Sequence, residues 1–193
     1  MPKSNRKQQI LQALALMLQE NPGDRITTAN LAAQVGVSEA ALYRHFPSKA
    51  KMLEGLIVFA EETIFSRVSL ITEEHEDAAT RCRNILLLIL QFVERNPGFA
   101  RLFVGDVLLG ETERLRARMD QLMNRIETEL RQILRTHNTT REFANQLQVA
   151  AVANLMLACV EGQTVQFVRS NFSRRPTEHW DNQWTLLNDA IFS

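Results

Sequence analysis

The stretch from Thr27 to Lys49 limits the fold of this chain more than any other, because it reads as two short helices around a forced turn. Leu31 and Ala32 face inward from the first helix, which Thr28 is placed to cap, and Val35 follows them. Gly36 then accepts a left-handed backbone at little cost, since it has no Cβ to clash. Ser38 offers an N-cap oxygen to a second helix carrying Glu39, Ala40, Ala41, Leu42, Tyr43, Arg44 and His45. Two crossed helices about a glycine turn make a helix-turn-helix, whose second helix fits a DNA major groove.

The remaining pattern is helical as well. Asn5–Glu20 has a stripe at Ile10, Leu11, Leu14, Ala15 and Leu18, and Asn21-Pro22-Gly23-Asp24 ends it. Phe46, beside the Pro47 break, plugs the underside of the resulting three-helix unit. Ser48 is placed to cap a fourth helix to about Thr72, with Met52, Leu56, Phe59, Thr63 and Ser66 along one face. Lys49 falls in its first turn, where the helix dipole disfavours a cation unless that end faces phosphates. Glu76–Glu94 stops at Asn96-Pro97-Gly98, and Phe99–Leu109 forms a shorter piece between Gly98 and Gly110. Glu111–Thr136 spaces Leu115, Met119, Leu122, Ile126, Leu130 and Ile133 alternately by four and three. Thr139–Glu142 has the form of a capping box opening a helix to about Phe172, and Thr177 is placed to cap a last helix with Trp180, Trp184 and Leu187. The spacing thus predicts an all-α chain.

Within it, Val149–Val160 is apolar enough to need burial nearly all round. A second copy would supply that cover, so a homodimer is expected, matching the two half-sites of a palindrome about 34–36 Å apart. The expected division is a helix-turn-helix DNA-binding domain over 1–51 and a helical regulatory and dimerisation domain over 52–193.

Charge agrees with that division. Residues 1–51 hold seven Lys/Arg against three Asp/Glu, and 52–193 hold fifteen against nineteen, so a neutral chain carries a basic module on a mildly acidic body. Cys82 and Cys159 sit in apolar helical patterns, as small hydrophobes rather than disulfide or metal ligands. His45, His75, His137 and His179 are scattered, without Cys or acid at ligand spacing, so no enzyme, metal or cofactor is expected. The polar start and the shortness of the longest apolar run, Ile85–Leu90, lead us to expect a cytoplasmic, nucleoid-associated protein and no membrane partner.

Val35 to Lys49, with its Gly-Val-Ser turn, Leu-Tyr-Arg-His-Phe segment and following lysine, resembles the signature of the TetR family. That resemblance covers residues 5–52. It implies a three-helix DNA-binding domain, an all-helical regulatory domain and dimerisation through the last two long helices. Arg25–Thr28, Ser38–Lys49, Glu94–Gly98, Phe167–Ser170 and Arg175–Thr177 resemble more closely the nucleoid occlusion factors of that family. This implies binding to palindromic double-stranded DNA and, while on DNA, inhibition of septum assembly through the C-terminal tail of the tubulin-like protein FtsZ. Further assembly of the dimer on DNA is left open. The alternative is a ligand-responsive repressor, as most TetR-like proteins are. The aliphatic centres at Ile85–Leu90 and Val149–Val160 favour a packed body and a surface partner over it.

Geometry assigns the DNA residues. Ser38, Glu39, Ala40 and Ala41, early in the second helix, should reach base edges, Glu39 towards a cytosine amino group and the alanines towards a thymine methyl. Thr28, Tyr43, Arg44, His45 and Lys49 are better placed for phosphates, which set register. The resemblance supports that role for Tyr43, His45 and Lys49. For the protein partner, the candidate surface is the groove between the fourth and fifth helices. Phe59, Leu88 and Phe92 would form an apolar trough there, with Arg67 and Arg95 supplying charge for an acidic tail.

Overall fold

The computed structural model describes residues 6–20, 26–140 and 148–192. Its helices are α1 (Arg6–Glu20), α2 (Thr28–Val35), α3 (Glu39–His45), α4 (Lys49–Glu74), α5 (Ala78–Arg95), α6 (Pro97–Val104), α7 (Glu113–Thr140), α8 (Val149–Arg169) and α9 (Trp180–Ile191). A 3-10 turn, Asp106–Leu108, follows α6, and no strand occurs among the described residues. The all-α expectation holds. The expected stop at Asn21–Asp24 lies outside the described residues.

Capping decides several boundaries. Ser38 accepts from the Ala41 N–H and Ser48 from the Lys51 N–H, as their positions imply. Gly36, at φ +72°, closes α2 by donating to the Ala32 and Ala33 carbonyls. The cap of α2, however, is Thr27, whose hydroxyl accepts from the Asn30 N–H, while Thr28 is already helical. Asp77 opens α5. The piece expected over Phe99–Leu109 instead starts at Pro97, a residue suited to a first turn because it has no N–H to leave unpaired, and stops at Gly105.

Two expected helix starts are wrong. Thr139 and Thr140 belong to the last turn of α7, so Thr139 opens nothing; Arg141 and Glu142 lie outside the described residues. A capping box marks a start only where the preceding helix has ended, and the α7 ladder has not. Thr177 does not cap α9 either. Its N–H and hydroxyl both donate to the Glu94 carboxylate, tying the turn after α8 to the end of α5.

The α7 stripe is buried as expected at Leu115, Met119, Leu122, Ile126, Leu130 and Ile133. On α4 the stripe departs from expectation after Leu56. Its buried residues are Met52, Leu53, Leu56, Ile57, Ala60, Ile64, Phe65 and Val68, whereas Ser66 and Phe59 are exposed. α4 packs against α1, α5, α6 and α7, so its buried sector is broader than a single heptad seam and centred one residue later.

One contiguous buried cluster runs from Ile10 and Leu14 in α1 through α4 and α5 to Trp180 and Trp184 in α9. α1 and α6 approach closely. A Cβ on Gly98 would lie 2.1 Å from the Ala15 carbonyl oxygen. Buried Arg101 reinforces it, donating from Nη1 to the Leu18 carbonyl at 2.9 Å and from Nε to Asp106 at 2.9 Å. The amino-terminal helices are therefore seated on the body along α1 as well as through α4.

α8 buries Val152, Ala153, Met156, Leu157, Val160, Thr164 and Phe167 against the body. Its other face, with Ala151, Asn154, Leu155, Ala158 and Val165, is exposed, so burial nearly all round is not reached within one chain. Among the described residues α8 is the one helix long and apolar enough to cross a bilayer by length and composition, a test that a core helix passes as well. Burial pushes the Cys82 thiol up to about 12, and Cys82 and Cys159 are both free.

Candidate nucleic-acid interface and partner groove

α3 buries Leu42 and exposes Glu39, Ala40, Tyr43 and Arg44, with Ser38 exposed just before it. Ala41 and His45 are half-buried. The structure links three candidates that sequence reasoning treated separately. The Tyr43 hydroxyl donates to Thr28 Oγ1 at 3.2 Å, and Thr28 Oγ1 donates to Glu39 Oε2 at 2.7 Å. This chain of hydrogen bonds ties α2 to both ends of α3. It also occupies one Glu39 carboxylate oxygen and leaves the second for another donor.

Lys49 is not unpaired. Its Nζ lies 3.0 Å from Glu111 Oε1, a residue on the body that sequence spacing could not connect to it. Further ion pairs follow along the α4–α7 seam. Lys51 and Arg114 flank Glu54, and Arg118 and Arg125 both reach Glu61. Burial alone would raise the Glu61 carboxyl, but the two arginines more than offset that and hold it below its ordinary value. The Arg125 guanidinium also lies 3.7 Å from the Phe65 ring centroid. At the amino end, the Lys7 ammonium sits 5.9 Å from the Phe46 ring centroid.

The five candidate partner residues do not form one trough. Arg67 and Leu88 line a cleft between α4 and α5 together with Leu70, Ile71, Leu87 and Gln91. Phe59 and Arg95 line a second cleft further along the same helix pair, closed on its far side by α1. Phe92 belongs to neither. It is only 8% exposed, with its ring 5.2 Å from Phe99 and 5.9 Å from Phe103, so the expectation that it meets a partner is corrected. Phe92 lies one helical turn beyond Leu88, on the same side of α5, and there α6 covers it.

The two ends of the chain match separate family models. One for bacterial regulatory proteins of the tetR family covers residues 10–56, and one described as tetracyclin repressor-like, C-terminal domain (SlmA-like) covers residues 76–191. The chain belongs to the SlmA-like group of the TetR family. The nucleoid occlusion factor SlmA of Shewanella pealeana is 55% identical over 190 residues, spanning 98% of this chain and 96% of that protein. The SlmA of Shewanella woodyi is likewise 55% identical over the same shares of both chains. Among solved structures, the fatty acid degradation regulator FadR of Bacillus halodurans superposes with a TM-score of 0.81 at 14% identity, over 97% of this chain and 96% of that one. FadR of Bacillus subtilis, solved with stearoyl-CoA, reaches 0.78 at 17% identity, over 95% and 98%. These two share the TetR fold with the chain. The helix that crosses between the two matched segments is α4, which carries Lys49 at one end and Arg67 towards the other.

Proposed function

We propose that this chain is a nucleoid occlusion factor. It acts as a homodimer that binds palindromic DNA through α3 and, while on DNA, holds the C-terminal tail of FtsZ and blocks septum assembly over the chromosome. The observation that carries this reading is the 55% identity, over 98% of the chain, to proteins named for that role. Such a protein works in the cytoplasm on the nucleoid and needs no cofactor.

In this reading residues 1–51 read DNA and residues 52–193 regulate and dimerise. Ser38, Glu39, Ala40 and Ala41 meet base edges, Glu39 with the carboxylate oxygen that Thr28 leaves open. Small side chains at the tip of α3 let the helix backbone approach the groove closely, so shape and apolar contact share the readout. Thr28, Tyr43, Arg44, His45 and Lys49 hold phosphates. Arg44, exposed at the carboxyl end of α3, gives the cleanest test. Arg44→Ala is expected to weaken binding to all sequences alike and to flatten the log K against log salt slope by about 0.9 per protomer. An unchanged slope removes Arg44 from the phosphate set.

The tail lies along the α4–α5 seam, with Phe59 and Leu88 as apolar contacts and Arg67 and Arg95 as its cations. Arg67→Glu is expected to lower tail-peptide affinity at least about tenfold with DNA affinity unchanged, since a reversed charge repels an acidic peptide. Wild-type affinity would sink the assignment. The deciding experiment sediments FtsZ polymers with purified protein, with and without palindromic DNA. A DNA-dependent loss of pelleted polymer is expected, and its absence would return the protein to the repressor class.

A further inference from the structure

Lys49 is the first residue of α4, at the end where the helix dipole disfavours a cation. The start of α4 does not depend on it, since Ser48 already caps the helix by accepting from the Lys51 N–H. Lys51, two residues on, pairs within its own helix with Glu54. Lys49 reaches across to the body instead, where its ammonium lies 3.0 Å from the Glu111 carboxylate.

Glu111 is held in place to meet that lysine. It follows Gly110 at the corner between the 3-10 turn and α7. Its N–H donates to the Leu108 carbonyl at 3.0 Å, and its own carbonyl accepts from Arg116 Nη1 at 2.7 Å. Its side chain is 17% exposed, against 30% for that of Lys49. Lys49 is the partner that can move. Both residues line a cavity of about 580 Å³, with Leu18, Ile26 and Leu53 on one side and Arg101 and Asp106 on the other. That space gives the flexible four-carbon stem of the lysine room to leave the carboxylate without displacing packed groups. An ion pair this open to water carries a factor of only about two to five in equilibrium. A phosphate oxygen, itself anionic, offers the same ammonium a comparable charge-assisted hydrogen bond.

We propose that Glu111 of the body competes with DNA phosphate for Lys49 and so holds down the DNA affinity of the whole protein. This rests on the reading of Lys49 as a phosphate contact and adds a residue that opposes it. While the pair stands, it presents almost no net charge to DNA. Even where the ammonium shares its three donors between carboxylate and phosphate, the carboxylate still cancels its charge. Without Glu111, Lys49 presents a full positive charge. Phosphate contacts read no bases, so Glu111 weakens binding to every sequence alike and leaves the choice of site to the first residues of α3.

The test measures full-length wild type, Glu111→Gln, Lys49→Ala and the double variant by anisotropy on a labelled palindromic duplex and an unrelated one, over a range of salt. Glu111→Gln is expected to tighten binding to both duplexes about tenfold at low salt, because a dimer loses two such pairs. It should also steepen the log K against log salt slope by up to about 0.9 per protomer. Lys49→Ala is expected to cost more affinity in the Glu111→Gln background than in wild type, which is the mark of a coupled pair. Glu113→Gln removes the same charge two residues on, from an exposed side chain with no ion pair among the described residues. It measures the effect of charge alone and should change affinity less than about twofold. A folding defect cannot tighten binding, so the sign at Glu111 excludes one. If Glu111→Gln binds no more tightly than Glu113→Gln, with the wild-type slope, the pair is a solvated contact and the proposal fails. It fails equally if Glu111→Gln binds more weakly, since the carboxylate then aims Lys49 at the phosphate. If Lys49→Ala binds as its parent in both backgrounds, Lys49 holds no phosphate, and that reading falls together with this one.

Discussion

Gly98→Ala is expected to destabilise the protein by roughly 3 kcal/mol, lowering the thermal midpoint by about 6–12 °C. The added methyl would sit 2.1 Å from the Ala15 carbonyl oxygen and 3.2 Å from the Leu18 Cβ. A flexible side chain could swing away from such an intrusion, but Ala15 is in the middle of α1 and its carbonyl belongs to the helix ladder. α6 cannot retreat freely either, because Arg101 holds it to the carboxyl end of α1. The strain must therefore separate the two helices, which opens the contact between the amino-terminal unit and the body. Differential scanning calorimetry with far-ultraviolet circular dichroism checks this: helix content should persist at low temperature while the midpoint falls. An unchanged midpoint would mean that the α1–α6 approach is looser than described.

Leu155→Glu should convert the protein to a monomer at micromolar concentration and reduce affinity for a full palindrome at least about 100-fold, because the second half-site is no longer held at high effective concentration. Leu155 is 51% exposed on the face of α8 that the chain itself leaves uncovered, beside Ala151 and Ala158. In a two-fold assembly through that face, each protomer would bring one new carboxylate into an apolar seam, where burial of an unpaired charge is strongly unfavourable. The opposite face of α8 keeps its contacts with the body, so the protomer should remain folded. Sedimentation velocity and a mobility shift on full and half palindromes separate the effects. A persisting dimer would place the seam elsewhere.

Features set by neighbours close in the chain were readable from the residues. Ser38 and Ser48 cap the helices that follow them, and Gly36 takes the left-handed conformation its turn requires. The α7 stripe, with its regular alternation of four and three, is buried at all six expected positions. Threonine was a weaker guide. Thr27 and Thr28 are equivalent as caps in sequence, and which of them turns helical depends on where α2 packs. Thr177 was read as a cap, but Glu94, far away in the chain, takes both of its donors.

Positions covered from several directions were less legible. The α4 stripe missed because four helices contact α4, which shifts its buried sector off a single heptad line. Phe59 and Phe92 look alike in sequence, yet one is 42% exposed and the other 8%: both rings lie against Phe99 of α6, and Phe92 is stacked on Phe103 as well. The hydrogen bonds from Tyr43 through Thr28 to Glu39 and the pair between Lys49 and Glu111 were invisible because they join residues on separate elements.

By itself, then, the sequence determined the all-helical class, the glycine turn between α2 and α3, and the family, because caps, turns and periodicity act over a few residues and the signature from Val35 to Lys49 is contiguous. Tertiary structure alone decided that α1 closes one side of the cleft at Phe59 and Arg95, that Lys49 answers to Glu111, and that α8 leaves a face open. Those outcomes depend on which surfaces meet across long chain separations, where burial and ion pairing are set by close packing of distant segments rather than by local propensity.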